Sequence, residues 1–278
     1  MKRDHVRVTT TSILVPSNLS REHPLTKDRN MAHAARYLKH AGEIGSDIVL
    51  LPECFATKGM LQAFTCSRAS YMPMCEEVPG GEVSDMAAGL ARKYGMYVIA
   101  PIYERQSGKM YNSAAIFDRR GRFVGKYRKI HLPPPGEAKL FAPGDEAPVF
   151  ELDFGPVACC ICWDINFPEL ARSYALRGAK ILFWPTMWGD TIDYQLAYMK
   201  GQALANVMYL VGANYCMPVK GGHPGQSAVI DPSGRILANT GNRPGIASAV
   251  IDLNHKRFKE GATLVRNRRP QLYAGLVA

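Results

Sequence analysis

The sequence has no hydrophobic run long enough to cross a membrane. Its longest unbroken apolar stretch is Val157–Trp163, whereas a membrane-spanning helix needs about 20 apolar residues. A threonine triplet interrupts the basic N-terminal segment, so we expect no secretory signal peptide. Ordinary proportions of hydrophobic (47%) and charged (21%) residues exclude a disordered chain. We therefore expect a globular, cytoplasmic protein that does not bind membranes.

Cysteine and histidine lack the patterns of a disulfide framework or a metal site. The seven cysteines are an odd number scattered through 278 residues, which favours reduced thiols. A strand would place Cys159 and Cys160 on opposite faces, and the histidines show no H-E-x-x-H spacing. The G-x-S-x-G, Walker and strand-borne G-x-G-x-x-G motifs are also absent. We expect neither a metal nor a cofactor.

Positive charge predominates but lacks aromatic partners. The net charge is +10, and residues 119–129 and 256–269 each carry six basic side chains. A nucleic-acid-binding surface would interleave such clusters with aromatic residues or carry a zinc-finger or helix-turn-helix pattern. Because neither cluster does so, we expect solvated surface with a weak preference for anions, and no nucleic-acid partner.

Short apolar runs alternate with segments of helical periodicity, which predicts an α/β fold. Two turns, Arg119–Gly121 and Pro232–Gly234, predict hairpins. The predicted strands are Arg7–Val15, Asp47–Leu51, Tyr97–Tyr103, Val157–Ile161, Ile181–Phe183 and Tyr209–Tyr215. The predicted helices are Thr26–Ile44, Ser84–Tyr94, Pro168–Arg177 and Asp193–Val207.

A weak internal similarity predicts two similar halves. Residues 45–52 (GSDIVLLP) resemble residues 178–185 (GAKILFWP), and each hairpin follows a similar strand. Two sheets packed face to face and covered by outer helices would give an α-β-β-α four-layer sandwich. No low-complexity linker separates the halves, so we expect one domain over residues 1–278. Glu53 and Thr186 then lie at equivalent strand ends, where ligands of α/β sheets gather.

Three residues are candidates for chemistry. Glu53 directly follows a buried strand, where desolvation would raise the pKa of its carboxyl and favour a general base. Lys129 shares a strand face with Tyr127 and Phe123, and its ammonium suits a developing oxyanion. Cys162 lies at a strand-to-helix junction, where backbone N–H groups and the helix dipole lower a thiol pKa. Taken singly, each also has a structural interpretation: a loop carboxylate, an edge-strand lysine and a small core residue.

Together these residues carry a family resemblance. A glutamate after DIVLLP, a lysine in YRKIHL and a cysteine in ICWDINFPE occur in an order that resembles the nitrilase superfamily of carbon–nitrogen hydrolases. The likeness runs almost end to end, to Arg268–Tyr273. It implies an α-β-β-α sandwich, a homodimer or larger assembly, a small-molecule substrate, and Glu53, Lys129 and Cys162 as the catalytic triad.

The resemblance also implies a mechanism and further site residues. Cys162 attacks the substrate carbon to form a thioester, and Glu53 transfers the protons. Lys129 and the backbone N–H of Trp163 hold the oxyanion, while Glu137 supports the lysine and the substrate. Thr186, Met187, Trp188 and Phe55 are candidates for the pocket wall, although core packing explains Met187, Trp188 and Phe55 equally well.

The branch of the family is less closely defined. True nitrilases typically have a Cys-Trp-Glu sequence, and Asp164 in the third position here is more similar to amidases and carbamoylases. Residues 167–169 are similar to carbamoylases, but Asn166 stands where a basic residue is common, which leaves an ω-amidase-like or simple aliphatic amidase open. We predict a cysteine amidohydrolase of a small amide or N-carbamoyl compound. A nitrilase and a non-catalytic interaction protein are the alternatives.

Overall fold

The computed structural model describes residues 4–14, 27–57, 67–189, 192–217 and 224–277. In these ranges two β-sheets pack face to face, and helices cover both outer faces, which confirms the predicted four-layer sandwich. The α-helices are α1 (Lys27–Glu43), α2 (Arg68–Tyr71), α3 (Glu82–Tyr94), α4 (Gly136–Leu140), α5 (Pro168–Leu176), α6 (Ile192–Asn206) and α7 (Arg257–Arg266). No helix in the described part of the chain is long and apolar enough to cross a bilayer.

The strands divide between the two sheets. The first sheet holds β1 (His5–Leu14), β2 (Ile48–Leu50), β3 (Tyr97–Gln106), β4 (Lys109–Phe117), β5 (Phe123–Arg128), β10 (Tyr215–Cys216) and β13 (Gly245–Asp252). The second holds β6 (Val149–Leu152), β7 (Gly155–Cys159), β8 (Ile181–Pro185), β9 (Tyr209–Ala213), β11 (Ala228–Ile230) and β12 (Ile236–Asn239).

The strand order confirms the two similar halves. In the first sheet β1, β2 and β3 are parallel, and β4 and β5 follow as antiparallel neighbours. In the second sheet β7, β8 and β9 are parallel, and β11 and β12 follow in the same way. The edge of the first sheet is extended by β10 and β13, which both pair with β1.

Burial on both faces explains the unbroken apolar runs. In β2, Ile48 and Leu50 point into the core between the sheets, while Val49 packs towards α1 and α3. A strand covered on both sides needs apolar residues at every position. Helix α1 buries Leu38 and its neighbours one turn away against the same sheet, which fixes that helix on the outer face.

Both predicted hairpin turns form, and they use the same chemistry. Asp118 accepts hydrogen bonds from two backbone N–H groups of the β4–β5 turn, and Asp231 does the same in the β11–β12 turn. Gly121 and Gly234 take left-handed conformations with φ of 74° and 75°, which glycine adopts without steric cost.

Two predicted boundaries are wrong. The expected strand over residues 209–215 breaks at Asn214, because the buried Asn214 side chain accepts a hydrogen bond from the backbone N–H of Tyr215. The chain then passes to the first sheet as β10. The expected strand over residues 157–161 ends at Cys159, and a 3-10 helix over Cys162–Asn166 precedes α5.

Candidate active site

A cavity of about 280 Å³ opens between the ends of strands from both sheets. Its floor carries the polar groups Glu53, Lys129, Glu137 and Cys162. These four residues come from four separate parts of the chain, after β2, after β5, in α4 and after β7. The rest of its described lining is aromatic or aliphatic apart from one glycine: Tyr71, Tyr103, Pro133, Pro134, Gly136, Leu140, Phe141 and Met187.

Glu53 is held in one orientation by hydrogen bonds to both carboxylate oxygens. Its side chain belongs to a residue that is only 3% exposed. Oε1 accepts from Lys129 Nζ at 3.1 Å and from Asn112 Nδ2 at 2.8 Å, and Oε2 accepts from the backbone N–H of Met187 at 2.8 Å. The hydroxyl of Tyr215 donates to the Glu53 carbonyl at 2.7 Å. Side chain and backbone are therefore both fixed at the pocket.

Lys129 lies between two carboxylates. Its Nζ donates to Glu53 at 3.1 Å and to Glu137 at 2.5 Å, and the residue is 1% exposed. Burial by itself would lower the pKa of Lys129, but the charge of Glu53, together with Glu137, outweighs burial and raises the pKa well above its ordinary value. The ammonium thus keeps its charge across the physiological range.

Glu137 is brought to the lysine by the short helix α4. Its Oε2 accepts from Lys129, and its Oε1 accepts from Asn112 Nδ2 at 2.7 Å. Burial raises the pKa of Glu137 and the nearby Glu53 adds to this rise, while Lys129 acts in the opposite direction. Two buried acids thus share one buried cation.

Cys162 opens the 3-10 helix with a left-handed backbone, at φ of 48°, and its side chain reaches the cavity. Burial and the Glu53 charge raise the pKa of its thiol to about 12, although Lys129 and the neighbouring Thr186 and Met187 pull it down. The expectation that the junction lowers this pKa is wrong, because desolvation and a nearby carboxylate dominate. At neutral pH Cys162 is therefore a thiol, and any attack by its sulfur would need a base.

The other predicted site residues divide between the pocket and the core. Met187 lines the cavity. Thr186 is fully buried behind the sulfur, and Trp188 packs edge-on against Trp184 in the core at 5.8 Å between ring centroids. Phe55 lies in the core between the first sheet and its helices rather than in the pocket wall, because its side chain points outward from the strand end.

Trp163 follows Cys162 directly. Its ring makes an edge-to-face contact with Phe167, with centroids 5.4 Å apart, and the residue is partly exposed. Its backbone N–H belongs to the same turn as the sulfur. The oxyanion contact that we expect from this N–H stays a prediction.

Sequence reasoning missed Asn112. It lies in β4, is buried, and its single Nδ2 donates to both Glu53 and Glu137. With Lys129 it closes a ring of four polar groups. The available signal was a polar pair, Asn112 and Ser113, in the middle of an otherwise apolar strand.

The neighbouring cysteines are structural. Cys159 has the C-x-x-C spacing to Cys162, but Cys159 and Cys160 are free thiols buried in the core. Burial raises the pKa of both thiols, so neither is activated. Among the residues that the structure describes, no cluster of His, Cys, Asp or Glu has the arrangement of a metal site.

Comparisons with known proteins identify the family. The carbon-nitrogen hydrolase family profile matches residues 16–257. An omega-amidase of Xenopus tropicalis is 32% identical over 262 residues, which cover 89% of this chain and 92% of that protein. An N-carbamoylputrescine amidase of Solanum lycopersicum is 32% identical over 271 residues, which cover 89% of each. The crystal structure of a carbon-nitrogen hydrolase from Helicobacter pylori G27 superposes with a TM-score of 0.82 and 26% identity, covering 98% of both chains.

The chain belongs to the carbon–nitrogen hydrolase family, the nitrilase superfamily. Within it, the similarity lies on the amidase and carbamoylase branch. The protein is a hydrolase of carbon–nitrogen bonds other than peptide bonds.

Proposed function

We propose that the protein is a cysteine-dependent amidohydrolase that cleaves the C–N bond of a small amide through a thioester. The observation that carries this proposal is the convergence of the Cys162 sulfur, the Glu53 carboxylate and the Lys129 ammonium in one cavity. Such a set supplies a nucleophile, a base and an oxyanion donor without a histidine.

Acylation begins with attack of the Cys162 sulfur on the amide carbonyl carbon. Because the pKa of the thiol is raised to about 12, Glu53 must take its proton as the C–S bond forms. The negative charge that develops on the substrate oxygen is stabilised by the Lys129 ammonium and the backbone N–H of Trp163. Glu53 then gives its proton to the leaving nitrogen, the C–N bond breaks, and ammonia or an amine departs.

Deacylation uses the same groups in reverse. A water molecule attacks the thioester carbon while Glu53 takes one of its protons. The C–S bond breaks, the carboxylic acid is released, and the proton returns from Glu53 to the sulfur. Glu137 and Asn112 keep their hydrogen bonds throughout and hold Lys129 and Glu53 in place.

The pocket wall favours an uncharged acyl group. Apart from the reaction centre, the described lining consists of aromatic, aliphatic and proline side chains and one glycine, and Lys129 is the cation in that part of the wall. Because Lys129 is already engaged by two carboxylates, an anionic acyl group would be desolvated without a free cation among the described lining residues. A short aliphatic or aromatic amide fits best.

N-carbamoyl amines are the second candidate class. The Phe167–Glu169 segment and the similarity to the Solanum lycopersicum carbamoylputrescine amidase support them. In that case loss of the amine would leave a carbamoyl thioester on Cys162, and water would release carbamic acid from it. This acid would then break down to carbon dioxide and ammonia. Comparing butyramide, succinamate and an N-carbamoyl amine as substrates at equal concentration separates the classes, and acid formation from butyronitrile that outpaces hydrolysis of butyramide would favour a nitrilase instead.

Assembly and location complete the proposal. The family resemblance and the exposed apolar side chains Leu264, Leu272 and Tyr273 near α7 support a homodimer or larger assembly. The free thiols of the described cysteines support a reducing compartment such as the cytoplasm. Light scattering of the purified protein tests the assembly, and cell fractionation tests the location.

A matched pair of cysteine variants tests the proposed function. Cys162→Ala removes the nucleophile, so we expect amide turnover to fall to background. Cys160→Ala removes a buried thiol two residues away that is not among the described residues of the cavity lining, and we expect turnover within a few-fold of the parent protein. The opposite pattern, in which loss of Cys160 stops turnover and loss of Cys162 does not, would overturn the assignment.

A further inference from the structure

Asp164 lies two residues after Cys162, is 1% exposed, and sits behind the cavity rather than in its described lining. Its carboxylate accepts four hydrogen bonds. Oδ2 accepts from the Tyr127 hydroxyl at 2.7 Å and from the Ile161 backbone N–H at 2.8 Å. Oδ1 accepts from the backbone N–H and the ring Nδ1 of His131, at 2.9 and 2.8 Å. The carboxylate is thereby saturated.

One set of these bonds fixes the segment that carries Lys129. Tyr127 and His131 lie two residues before and two residues after the lysine. The Tyr127 hydroxyl also accepts the backbone N–H of Ile130 at 3.3 Å. The backbone N–H of His131 is therefore bound to Asp164 directly. The backbone N–H of Ile130 is connected to Asp164 through the Tyr127 hydroxyl.

The other bond fixes the turn that carries the nucleophile. Ile161 donates its backbone N–H to the Asp164 side chain, and the Asp164 backbone N–H donates back to the Ile161 carbonyl at 3.0 Å. Cys162 lies between them in a left-handed conformation. For a residue other than glycine this conformation costs about 1–3 kcal/mol and persists only where the surroundings hold it.

We propose that Asp164 is a positioning residue that sets the spacing between the Cys162 sulfur and the Lys129 ammonium. It joins the two segments through one carboxylate, without touching the substrate. The proposal rests on the proposed function for the roles of Cys162 and Lys129. A glutamate at this position would lengthen the connection by about 1.5 Å, one carbon–carbon bond. Side-chain length at residue 164 therefore adjusts the geometry of the reaction centre.

The test compares Asp164→Asn and Asp164→Glu with Asp231→Asn. Asp231 is also a buried aspartate that accepts two backbone N–H groups of a turn, but that turn lies in the β11–β12 hairpin, away from the cavity. Two readouts are needed: kcat and KM on butyramide, and the rate at which iodoacetamide alkylates Cys162, followed by mass spectrometry of the peptide. The second readout needs no turnover.

We expect both Asp164 variants to lose about 100-fold in kcat with KM changed less than about threefold, as an ångström-scale misplacement of reacting groups predicts. The Cys162 alkylation rate should fall about tenfold in both, and Asp231→Asn should change neither value. A folded Asp164→Asn protein with parental kcat and alkylation rate and only a lower Tm would overturn the proposal.

A third variant tests the proposal even if the Asp164 variants do not fold. Tyr127→Phe keeps the ring and removes one of the four donors, so we expect about a tenfold loss of kcat, in line with one hydrogen bond to a charged group. An unchanged rate in this folded variant would contradict the proposal. If the parent protein hydrolyses no amide, the proposed function is wrong, and the alkylation rates alone then decide the positioning role.

Discussion

The two halves of the molecule repeat one strand order but contribute different groups to the cavity. Strand β2 in the first sheet leads to Glu53, a carboxylate that reaches the pocket floor. Strand β8 in the second sheet leads to the equivalent Thr186, a fully buried residue whose backbone N–H donates to Ala213 at 2.8 Å. The repeated fold thus carries a charged side chain at one strand end and an uncharged hydroxyl beside Cys162 at the other.

The two halves of the molecule supply different functional groups to the cavity. The half built on the first sheet supplies Glu53 and Lys129 to the cavity floor, and Asn112, which donates a hydrogen bond to Glu53. The half built on the second sheet supplies the Cys162 sulfur and the Met187 N–H that orients Glu53. The proposed nucleophile and the proposed base come from different sheets, so neither half alone holds the complete proposed site.

The largest contrast is expected between the two strand ends. Glu53→Gln keeps the shape but cannot take the thiol proton, so kcat should fall about 1,000-fold, within the range for a lost general base. Thr186→Val keeps the shape at the equivalent position and should reduce kcat only about threefold, the cost of a modest neighbouring contact. Steady-state kinetics on butyramide measure both. Equal losses in the two variants would remove the functional distinction between the halves.

The next contrast lies within β5 and the residue that follows it. Lys129→Met leaves Glu53 and Glu137 buried without their cation, so kcat should fall about 100-fold or more and the free energy of unfolding by about 3–5 kcal/mol. Lys126, three residues earlier, forms an ion pair with the fully buried Glu104. Glu104 also forms an ion pair with Arg128, which would remain if Lys126 were replaced. Lys126→Met should cost about 1–3 kcal/mol of stability and leave kcat unchanged. Urea unfolding and kinetics separate the two, and a large loss of kcat in Lys126→Met would contradict the assignment.

Much of this arrangement could be predicted from the sequence. The alternation of apolar runs and helical periods, and the similarity of residues 45–52 to 178–185, predicted the layers and the repeat. The triad residues were visible because each stands at a strand end and in a short motif. What brings them together is the face-to-face packing of the two sheets, which joins positions about 110 residues apart, from Glu53 to Cys162. This was inferred from the family resemblance rather than from a local pattern.

The residues that sequence reasoning missed are defined by tertiary contacts. Asn112 donates to Glu53 and Glu137, two segments that no periodicity links. Asp164 was visible in the sequence only as an indicator of the family branch, because its hydrogen bonds to Tyr127 and His131 are tertiary contacts. The pKa of Cys162 had the wrong expected direction because desolvation depends on how the second sheet closes over the thiol. Phe55 stands beside Glu53 in sequence but points to the opposite side of the strand end, into the outer core.

The smallest expected effect concerns the pH dependence of stability. The pKa of Glu137 is raised in the folded protein from its ordinary value of 4.5, chiefly by burial. A raised carboxyl pKa favours the protonated folded state, so its contribution is fully present below pH 4.5 and is lost as the pH rises through the folded pKa. Glu137→Gln cannot titrate. The stability difference, parent minus variant, should therefore decrease as the pH rises from 4 to 8 in urea unfolding. A stability difference that increases over this range would show that folding lowers the pKa of Glu137 instead of raising it.

Trapping the covalent intermediate tests the central claim most directly. Acid denaturation of the parent protein during turnover stops hydrolysis of the thioester, because the unfolded chain no longer holds Glu53 in place to activate water. After such a quench with butyramide, peptide mass spectrometry should show a butyryl group on the peptide that contains Cys162, and none in Cys162→Ala or in Glu53→Gln, which lacks the base for both steps. An acyl group on another cysteine, or turnover of butyramide by the Cys162→Ala protein, would contradict the account.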